Sequence, residues 1–181
     1  MHGRDKRSTL ESYNSLGGRL YDIRYSREQT AKFDAIMTHM TPSEDDIVLD
    51  DGCGTGLLTG KLETFAVGID LSSRLLLTAR RRLREREQAH LIQADADLLP
   101  FRDDVFDKVF AVTLIQNVPR PLRTLLEIKR VARARSSVAV TALKKYIDSE
   151  GFRELLDESG LALRTLIEDE KLKDWLAIAE S

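Results

Sequence analysis

Apolar and polar residues follow two spacings along this 181-residue chain. Short apolar runs bounded by polar or glycine positions predict buried strands, whereas apolar residues three and four positions apart predict helices. The predicted strands cover residues 47–49, 65–70, 90–95, 106–112, 136–143, 161–167 and 174–179. The predicted helices cover residues 8–40, 57–63, 73–87, 121–131 and 149–159.

This order of elements predicts an α/β fold. Strands that alternate with helices through short connections favour a Rossmann-like, doubly wound, mostly parallel seven-stranded sheet with helices on both faces. A polar Glu-Asp-Glu-Lys turn at residues 168–171 joins the last two strands and predicts a C-terminal antiparallel hairpin. Residues 1–45 are expected to form a helical cap or lid over a core of residues 46–181, in one structural domain overall.

Composition narrows the class of protein. With 42% hydrophobic and 32% charged residues, the chain suits a globular domain, and its net charge of −2 favours neither nucleic acid nor an anionic membrane. No apolar run reaches the roughly 18 residues of a membrane span, and no apolar segment follows the first residues as in a signal peptide, so we expect a cytoplasmic protein without membrane contact. The single cysteine, Cys53, excludes an internal disulfide and a multi-cysteine metal site, and no metal is expected.

A basic run at residues 80–86 is the local exception to this charge balance. On a predicted helix it is typical of a solvated outer face. A surface that meets RNA or a partner protein is the alternative.

Carboxylates end three successive predicted strands, at Asp50, Asp70 and Asp95. In an open parallel sheet, ligands bind outside the carboxyl ends of the strands, where the strand order reverses. Asp70 is placed to accept hydrogen bonds from both hydroxyls of a ribose, and Asp95 to accept one from an exocyclic amine such as that of adenine.

The glycine turn after the first strand excludes two phosphate-binding motifs. Residues 48–56 read V-L-D-D-G-C-G-T-G, so Leu57 stands where a dinucleotide fingerprint needs glycine, and no G-K-[ST] closes a P-loop. Asp50 would repel a pyrophosphate and predicts a ligand that is cationic at that place, such as an ammonium or a sulfonium.

Four segments in this order resemble the class I S-adenosylmethionine-dependent methyltransferases, as a small member with a minimal core. They are V-L-D-D-G-C-G-T-G at residues 48–56, V-G-I-D-L-S at 67–72, Q-A-D-A-D-L-L-P-F at 93–101 and F-D-K-V-F-A-V-T-L-I-Q-N-V at 106–118. The resemblance covers about residues 47–179.

The resemblance implies S-adenosylmethionine as cofactor and S-adenosylhomocysteine as product. It implies that the cofactor is contacted by Asp50, Gly52, Cys53, Gly54, Gly56, Asp70, Leu71, Asp95, Ala96, Thr113 and Leu114. Substrate-side candidates are Tyr21, Tyr25, Gln116 and Asn117, and no catalytic residue is identified. The chain lacks the Asn-Pro-Pro-aromatic motif of many N-methylating members. Ala134-Arg135 replaces the usual glycine pair before the fifth strand, which predicts a shortened or reshaped distal loop.

The sequence leaves the methyl acceptor open among RNA, a translation-related protein and a small molecule. A small zinc-binding activator subunit is a candidate partner. A non-catalytic S-adenosylmethionine-binding subunit or scaffold is the first alternative function. An NAD-linked oxidoreductase, which would share the glycine turn and the ribose acid, is the second.

Overall fold

The computed structural model describes residues 6–181, apart from the side chains of residues 9, 12–21 and 24. The helices in this part of the chain are α1 (Lys6–Met37), α2 (Ser73–Arg82), α3 (Pro121–Val131) and α4 (Ser149–Glu158). The strands are β1 (Ile47–Asp51), β2 (Phe65–Asp70), β3 (Ala89–Gln93), β4 (Phe106–Ala111), β5 (Ala132–Leu143), β6 (Ala162–Ile167) and β7 (Asp174–Glu180). Two short 3₁₀ helices cover Thr59–Lys61 and Ile115–Asn117.

The strands form one seven-stranded sheet in the order β3-β2-β1-β4-β5-β7-β6. Strands β1 to β5 are parallel to one another, and β7 is antiparallel to both β5 and β6. The predicted mostly parallel sheet with a closing antiparallel hairpin is therefore confirmed. Because β1 pairs with both β2 and β4, the strand order reverses there, and a crevice is expected beyond the carboxyl ends of these strands.

Apolar side chains cover both faces of the sheet. On one face, residues of α3 and α4 such as Leu125, Ile128 and Phe152 pack with β4 and β5. On the other face, Phe33 and Ile36 of α1 pack with β1, β4 and β7. The second half of α1 is thus part of the core, and the division of the chain at residue 45 stays a prediction. No helix in the described part of the chain has both the length and the apolar character that crossing a bilayer requires.

Local sequence signals determine where the helices begin and end. Ser72 accepts a hydrogen bond from the Leu75 N–H at the start of α2, and Pro121 occupies the first turn of α3. Gly160 follows α4 with a φ of 74°, the left-handed conformation that is common for a glycine just after the end of a helix. Two predicted helices are shorter in the structure, since α2 ends at Arg82 instead of residue 87, and only the Thr59–Lys61 turn forms within residues 57–63.

The Ala134-Arg135 pair lies inside β5, which begins directly after α3, so the loop expected before this strand is shortened and its place is taken by an irregularity within β5. At this point the pairing of β4 with β5 shifts register between Phe106 and Lys108, which marks a bulge. Arg135 adopts a φ of 63°, and its N–H donates a hydrogen bond of 3.1 Å to the Ser181 carbonyl. The left-handed conformation that a glycine would adopt freely is here imposed on an arginine.

Arg135→Gly is expected to raise the free energy of unfolding by about 1 kcal/mol, because glycine adopts a positive φ without the Cβ clash. For a chain of this size the melting temperature should rise by about 2–4 °C. The matched control is Ala134→Gly, since Ala134 is also exposed on β5 but does not have a positive φ. That variant should be destabilised. Equal effects of the two substitutions would show that the backbone of Arg135 is not strained.

Candidate active site

A cleft of about 750 Å³ opens at the carboxyl ends of β1, β2 and β4, where the strand order reverses. Its walls are the glycine turn after β1, the end of β2, the loop after β3 and the segment after β4.

The glycine turn brings bare backbone to the cleft. The N–H groups of Gly52 and Cys53 both donate to the Ile69 carbonyl of β2, at 2.9 and 2.8 Å, which fixes the turn against the neighbouring strand. Gly52 has a φ of 80°, and a Cβ at this position would approach the Leu114 Cδ1 to 3.1 Å. A side chain here would therefore be strained and would crowd the segment after β4.

Asp70 ends β2 and is held rigidly at the cleft. Its Oδ2 accepts a hydrogen bond from the Gly54 N–H at 2.9 Å, and its Oδ1 accepts one from the Ser72 N–H at 2.7 Å. Burial raises the pKa of Asp70, while these two hydrogen bonds act in the opposite direction. Each carboxylate oxygen can still accept a second hydrogen bond, as binding of two ribose hydroxyls requires.

Two carboxylates in the loop after β3 share one lysine from α1. The Lys6 ammonium donates to Asp95 at 2.7 Å and lies 2.6 Å from Asp97. Although burial opposes it, the hydrogen bonds from Lys6 and Thr124 lower the pKa of Asp97. Asp95 lines the cleft beside Ala94 and Ala96.

Asp50 and Asp51 have opposite environments because consecutive residues of a strand point to opposite faces. Asp50 turns away from the main cleft, and its Oδ2 accepts hydrogen bonds from the Thr59 hydroxyl at 2.6 Å and the Thr59 N–H at 3.1 Å. Burial raises its pKa to about 6 against these hydrogen bonds. Asp51 is the carboxylate of this pair that lines the cleft. Asp50 lines a smaller pocket that shares Gly52 with the cleft, and its contact with the cofactor stays a prediction.

The segment after β4 is anchored from three sides. Thr113 has a φ of 62°, and its N–H donates to the Thr141 hydroxyl at 2.8 Å. Its own hydroxyl oxygen accepts hydrogen bonds from Lys32 at 2.9 Å and Gln29 at 3.1 Å, both from α1. The Asn117 amide donates to the Thr113 carbonyl at 2.7 Å and lines the cleft. A β-branched residue with a positive φ is held here only by these surrounding contacts.

Helix α1 therefore runs along the carboxyl edge of the sheet from the loop after β3 to the segment after β4. Lys6 contacts the loop after β3, and Gln29 and Lys32 contact the segment after β4. Between them, Asp22 accepts hydrogen bonds from Thr55 of the glycine turn at 2.6 Å and from Arg82 at 2.5 Å. Arg82 belongs to the basic run, and Arg86 of the same run donates to the Leu62 carbonyl. These two arginines therefore make hydrogen bonds within the fold.

The structure brings together most of the predicted cofactor contacts. Eight of the eleven line the cleft: Gly52, Gly54, Asp70, Leu71, Asp95, Ala96, Thr113 and Leu114. The other three, Asp50, Cys53 and Gly56, do not. Burial raises the pKa of the Cys53 thiol well above its ordinary value, as suits a packed residue. A Cβ on Gly56 would meet Ala79 of α2 at 3.1 Å, so this glycine serves helix packing.

Of the predicted substrate-side residues, some line the cleft and others do not. Asn117 lines the cleft, whereas the partly buried Tyr25 does not. Gln116 is buried away from the cleft, and its amide has no hydrogen-bond partner among the described residues. The side chain of Tyr21 lies outside the described residues. The prediction missed other residues that line the cleft, among them Asp51 and Lys6. Asp51 directly follows Asp50 in the sequence, which could have drawn attention to it. Nothing in the sequence around Lys6 indicated that this lysine would reach the cleft.

These residues fit S-adenosylmethionine. The glycine turn leaves room that a Cβ would fill, Asp70 offers acceptors to a ribose, and the acidic walls suit a cationic ligand. The apolar side chains of Leu71, Leu75, Leu114 and Val118 could cover a purine ring.

Comparison with known proteins places the chain in a family. A family model described as a methyltransferase domain matches residues 49–140. The malonyl-[acyl-carrier protein] O-methyltransferase of Marinomonas sp. (strain MWYL1) is 29% identical over 126 residues, which are 67% of this chain and 47% of that protein. The tRNA U34 carboxymethyltransferase of Proteus mirabilis (strain HI4320) is 28% identical over 146 residues, 76% of this chain and 44% of that protein. The chain thus spans less than half the length of these two curated relatives.

Solved structures show the same fold. The complex of the Haloferax volcanii Trm112 methyltransferase activator contains a chain that superimposes with a TM-score of 0.76 at 16% identity, over 93% of this chain and 96% of that one. Other solved structures of this fold are S-adenosylmethionine-dependent methyltransferases. From the matched domain and the shared fold, the chain belongs to the methyltransferase domain family and is a member of the class I S-adenosylmethionine-dependent methyltransferases.

Proposed function

We propose that this chain transfers the methyl group of S-adenosylmethionine to an acceptor that enters its cleft beside Thr113 and Asn117. The observation that carries the proposal is Asp70, a carboxylate fixed by two backbone N–H groups at the strand-order reversal and beside an open glycine turn. Asp70 would bind the ribose hydroxyls, and Asp95 and Ala96 would lie at the adenine. Gly52 and Gly54 would approach the methionyl end.

The chemistry asks the protein mainly for orientation. When bound, S-adenosylmethionine supplies a methyl group activated by its sulfonium. The segment after β4 would hold the acceptor in line with the methyl group. Hydrogen bonds with Lys32, Gln29 and Thr141 fix Thr113, and the Thr113 carbonyl accepts a hydrogen bond from the Asn117 amide. Such preorganisation can supply several kcal/mol of the rate enhancement. We assign no general base.

We infer that the acceptor is an RNA, a translation-related protein or a small molecule. The relatives support a range of acceptors, since one is named for malonyl-[acyl-carrier protein] and one for tRNA U34. The test is production of S-adenosylhomocysteine with cell extract as acceptor source. Ribonuclease, protease and dialysis each remove one class of acceptor from the extract. Only the treatment that removes the true acceptor should abolish the signal. If untreated extract yields no product although the cofactor binds, the non-catalytic scaffold becomes the better interpretation.

A small zinc-binding activator subunit is proposed as partner. The fold shared with the chain in the Trm112 complex supports this idea. Strand β3 is an edge of the sheet, and Ile92 on β3 and Phe65 on β2 are exposed there, which is typical of an edge that pairs with another chain. Co-expression with such an activator should yield a complex that copurifies and needs Ile92; separate elution of the two proteins would contradict the proposal.

The first experiment is a thermal-shift titration with S-adenosylmethionine, S-adenosylhomocysteine and NAD. A ligand at about 100 times its Kd should raise the melting temperature by about 5–10 °C. We expect this shift with the first two ligands alone. A shift with NAD alone would favour the oxidoreductase, and no shift with any of the three would contradict cofactor binding by the isolated chain.

A further inference from the structure

Asp51 is a fully buried carboxylate without a partner. It ends β1 in register with Ile69 of β2, it lines the cleft, and it is 0% exposed. Neither of its oxygens has a hydrogen-bond partner among the described residues. Its neighbour Asp50 differs, since Thr59 supplies two donors to that carboxylate. A buried carboxylate without donors is strongly unfavourable, and the fold itself does not compensate this one.

The charges around Asp51 make its position still less favourable. Burial and four neighbouring carboxylates raise the pKa of Asp51 well above its ordinary value: Asp50, Asp70, Asp95 and Asp97. Among the described residues that line the cleft, Lys6 is the only cation, and it is already shared by Asp95 and Asp97. The described residues therefore supply no positive charge to pair with the Asp51 carboxylate.

We propose that Asp51 is the counter-ion of a cationic group of the bound cofactor, its ammonium or its sulfonium, in the role that the sequence pattern assigned to Asp50. The inference rests on the proposed function, because it names how that same cleft recognises its ligand. A divalent metal ion is the less suitable occupant, since no group of three His, Cys, Asp or Glu side chains in the described part of the chain is arranged to hold one.

Three ligands distinguish the two cationic groups. S-adenosylmethionine carries both, S-adenosylhomocysteine carries the ammonium alone, and 5′-methylthioadenosine carries neither. If the ammonium is the partner, Asp51→Asn should weaken the first two ligands by about 10- to 150-fold and spare the third. If the sulfonium is the partner, only S-adenosylmethionine should weaken. Equal affinities, or an equal loss for all three ligands, would overturn the inference.

The pH dependence of binding gives a second readout, which a purely structural role would not move. A cation binds the ionised form of Asp51, so binding should release a proton and affinity should rise with pH. The titratable groups that face this position are common to both variants: Asp50, Cys53, Asp70, Asp95, Asp97 and Lys6. Their contributions cancel in the comparison, and the slope should be shallower in Asp51→Asn. Identical slopes would contradict the proposal.

Asp51→Asn should also stabilise the ligand-free protein. Because the pKa of Asp51 is raised on folding, its contribution to stability is full below the pKa of the unfolded chain and is lost as pH rises. Removing the acid should therefore raise the melting temperature by about 4 °C or more at pH 8 and by less at pH 5. Asp157→Asn, on the exposed side of α4, is the matched control and should change neither stability nor binding. An unstable Asp51→Asn variant would overturn the inference.

These outcomes separate the inference from the proposed function. If wild-type protein binds S-adenosylmethionine and the Asp51 variant binds it equally well, only the role of Asp51 is wrong. If the wild-type protein binds none of the three ligands while Asp51→Asn still raises the melting temperature, the cofactor assignment fails. Stabilisation of the wild type by Mg²⁺ or Ca²⁺ alone, lost in Asp51→Asn, would replace the organic cation by a metal.

Discussion

Lys32→Met is expected to lower the free energy of unfolding by about 3–5 kcal/mol, because it leaves a buried charge without its partner. The Lys32 ammonium lies 2.6 Å from Asp174 of β7, and both side chains are fully buried. It also lies 3.3 Å from Glu28 and donates to the Thr113 hydroxyl. Burial raises the pKa of Asp174 even though Lys32 acts in the opposite direction, so this carboxylate depends strongly on its cation. Chemical denaturation measures the loss.

Two further variants show whether the loss arises from the unpaired charge. Lys32→Met combined with Asp174→Asn removes both charges and should recover most of the stability, as replacement of a whole buried pair commonly does. Lys173→Met removes an exposed lysine that pairs with Glu28 at 2.7 Å, and it should leave the stability nearly unchanged. If the double variant is as unstable as Lys32→Met alone, packing of the lysine stem and not its charge carries the effect.

Lys32 also connects stability to the site. Its hydrogen bond to Thr113, together with that from Gln29, holds the strained backbone that shapes the segment after β4. We expect the stability-restored double variant to bind S-adenosylmethionine more weakly than the wild type. Wild-type affinity in that variant would show that Thr141 and Asn117 suffice to position Thr113.

Asp70→Ala is expected to weaken S-adenosylmethionine binding by about 3 kcal/mol or more. The physical reason is the loss of two hydrogen bonds from ribose hydroxyls to a charged acceptor, at about 1.5–3 kcal/mol each. Isothermal titration calorimetry measures the affinity. The substitution also removes the acceptor of the Gly54 and Ser72 N–H groups, so the ligand-free melting temperature should fall and must be measured alongside.

A ligand without the ribose hydroxyls distinguishes the loss of ribose recognition from a disturbance of the glycine turn. Wild-type protein should bind adenosine more tightly than 2′,3′-dideoxyadenosine, and Asp70→Ala should bind the two about equally. Asp70→Asn keeps one acceptor oxygen and should lie between them. If the folded Asp70→Ala variant retains wild-type affinity for S-adenosylmethionine, the ribose does not lie at Asp70.

Much of the fold could be predicted from the sequence because its signals are local. Pro121 and Val131 bound α3 as predicted, Ser72 caps α2, and β2 covers the predicted residues 65–70. Buried parallel strands are short apolar runs, and their order with helices between them restricts the topology to few arrangements. The same reasoning placed Asp70, Asp95 and the glycine turn at one edge of one sheet.

The face of each residue at that edge could not be predicted. Strand β1 is buried on both sides, so its sequence carries no alternation to show which of Asp50 and Asp51 meets the cleft. In the 3₁₀ helix after β4, Gln116 turns inward while Asn117 reaches the cleft, and both are polar amides. Arg135 is another case, because the bulge that gives it a positive φ arises from the pairing of β4 with β5.

By itself, the sequence determined the order and type of the elements and the family, and it placed Asp70 and Asp95 at the carboxyl ends of neighbouring strands, since these follow from residue spacing along the chain. Only the tertiary structure decided that α1 lies across the carboxyl edge, with Lys6 on two carboxylates and Lys32 buried against Asp174. Lysines on a helix are ordinarily solvated. The positions of Lys6 and Lys32 depend on contacts with residues 89 and 142 positions away in the chain, which no local pattern records.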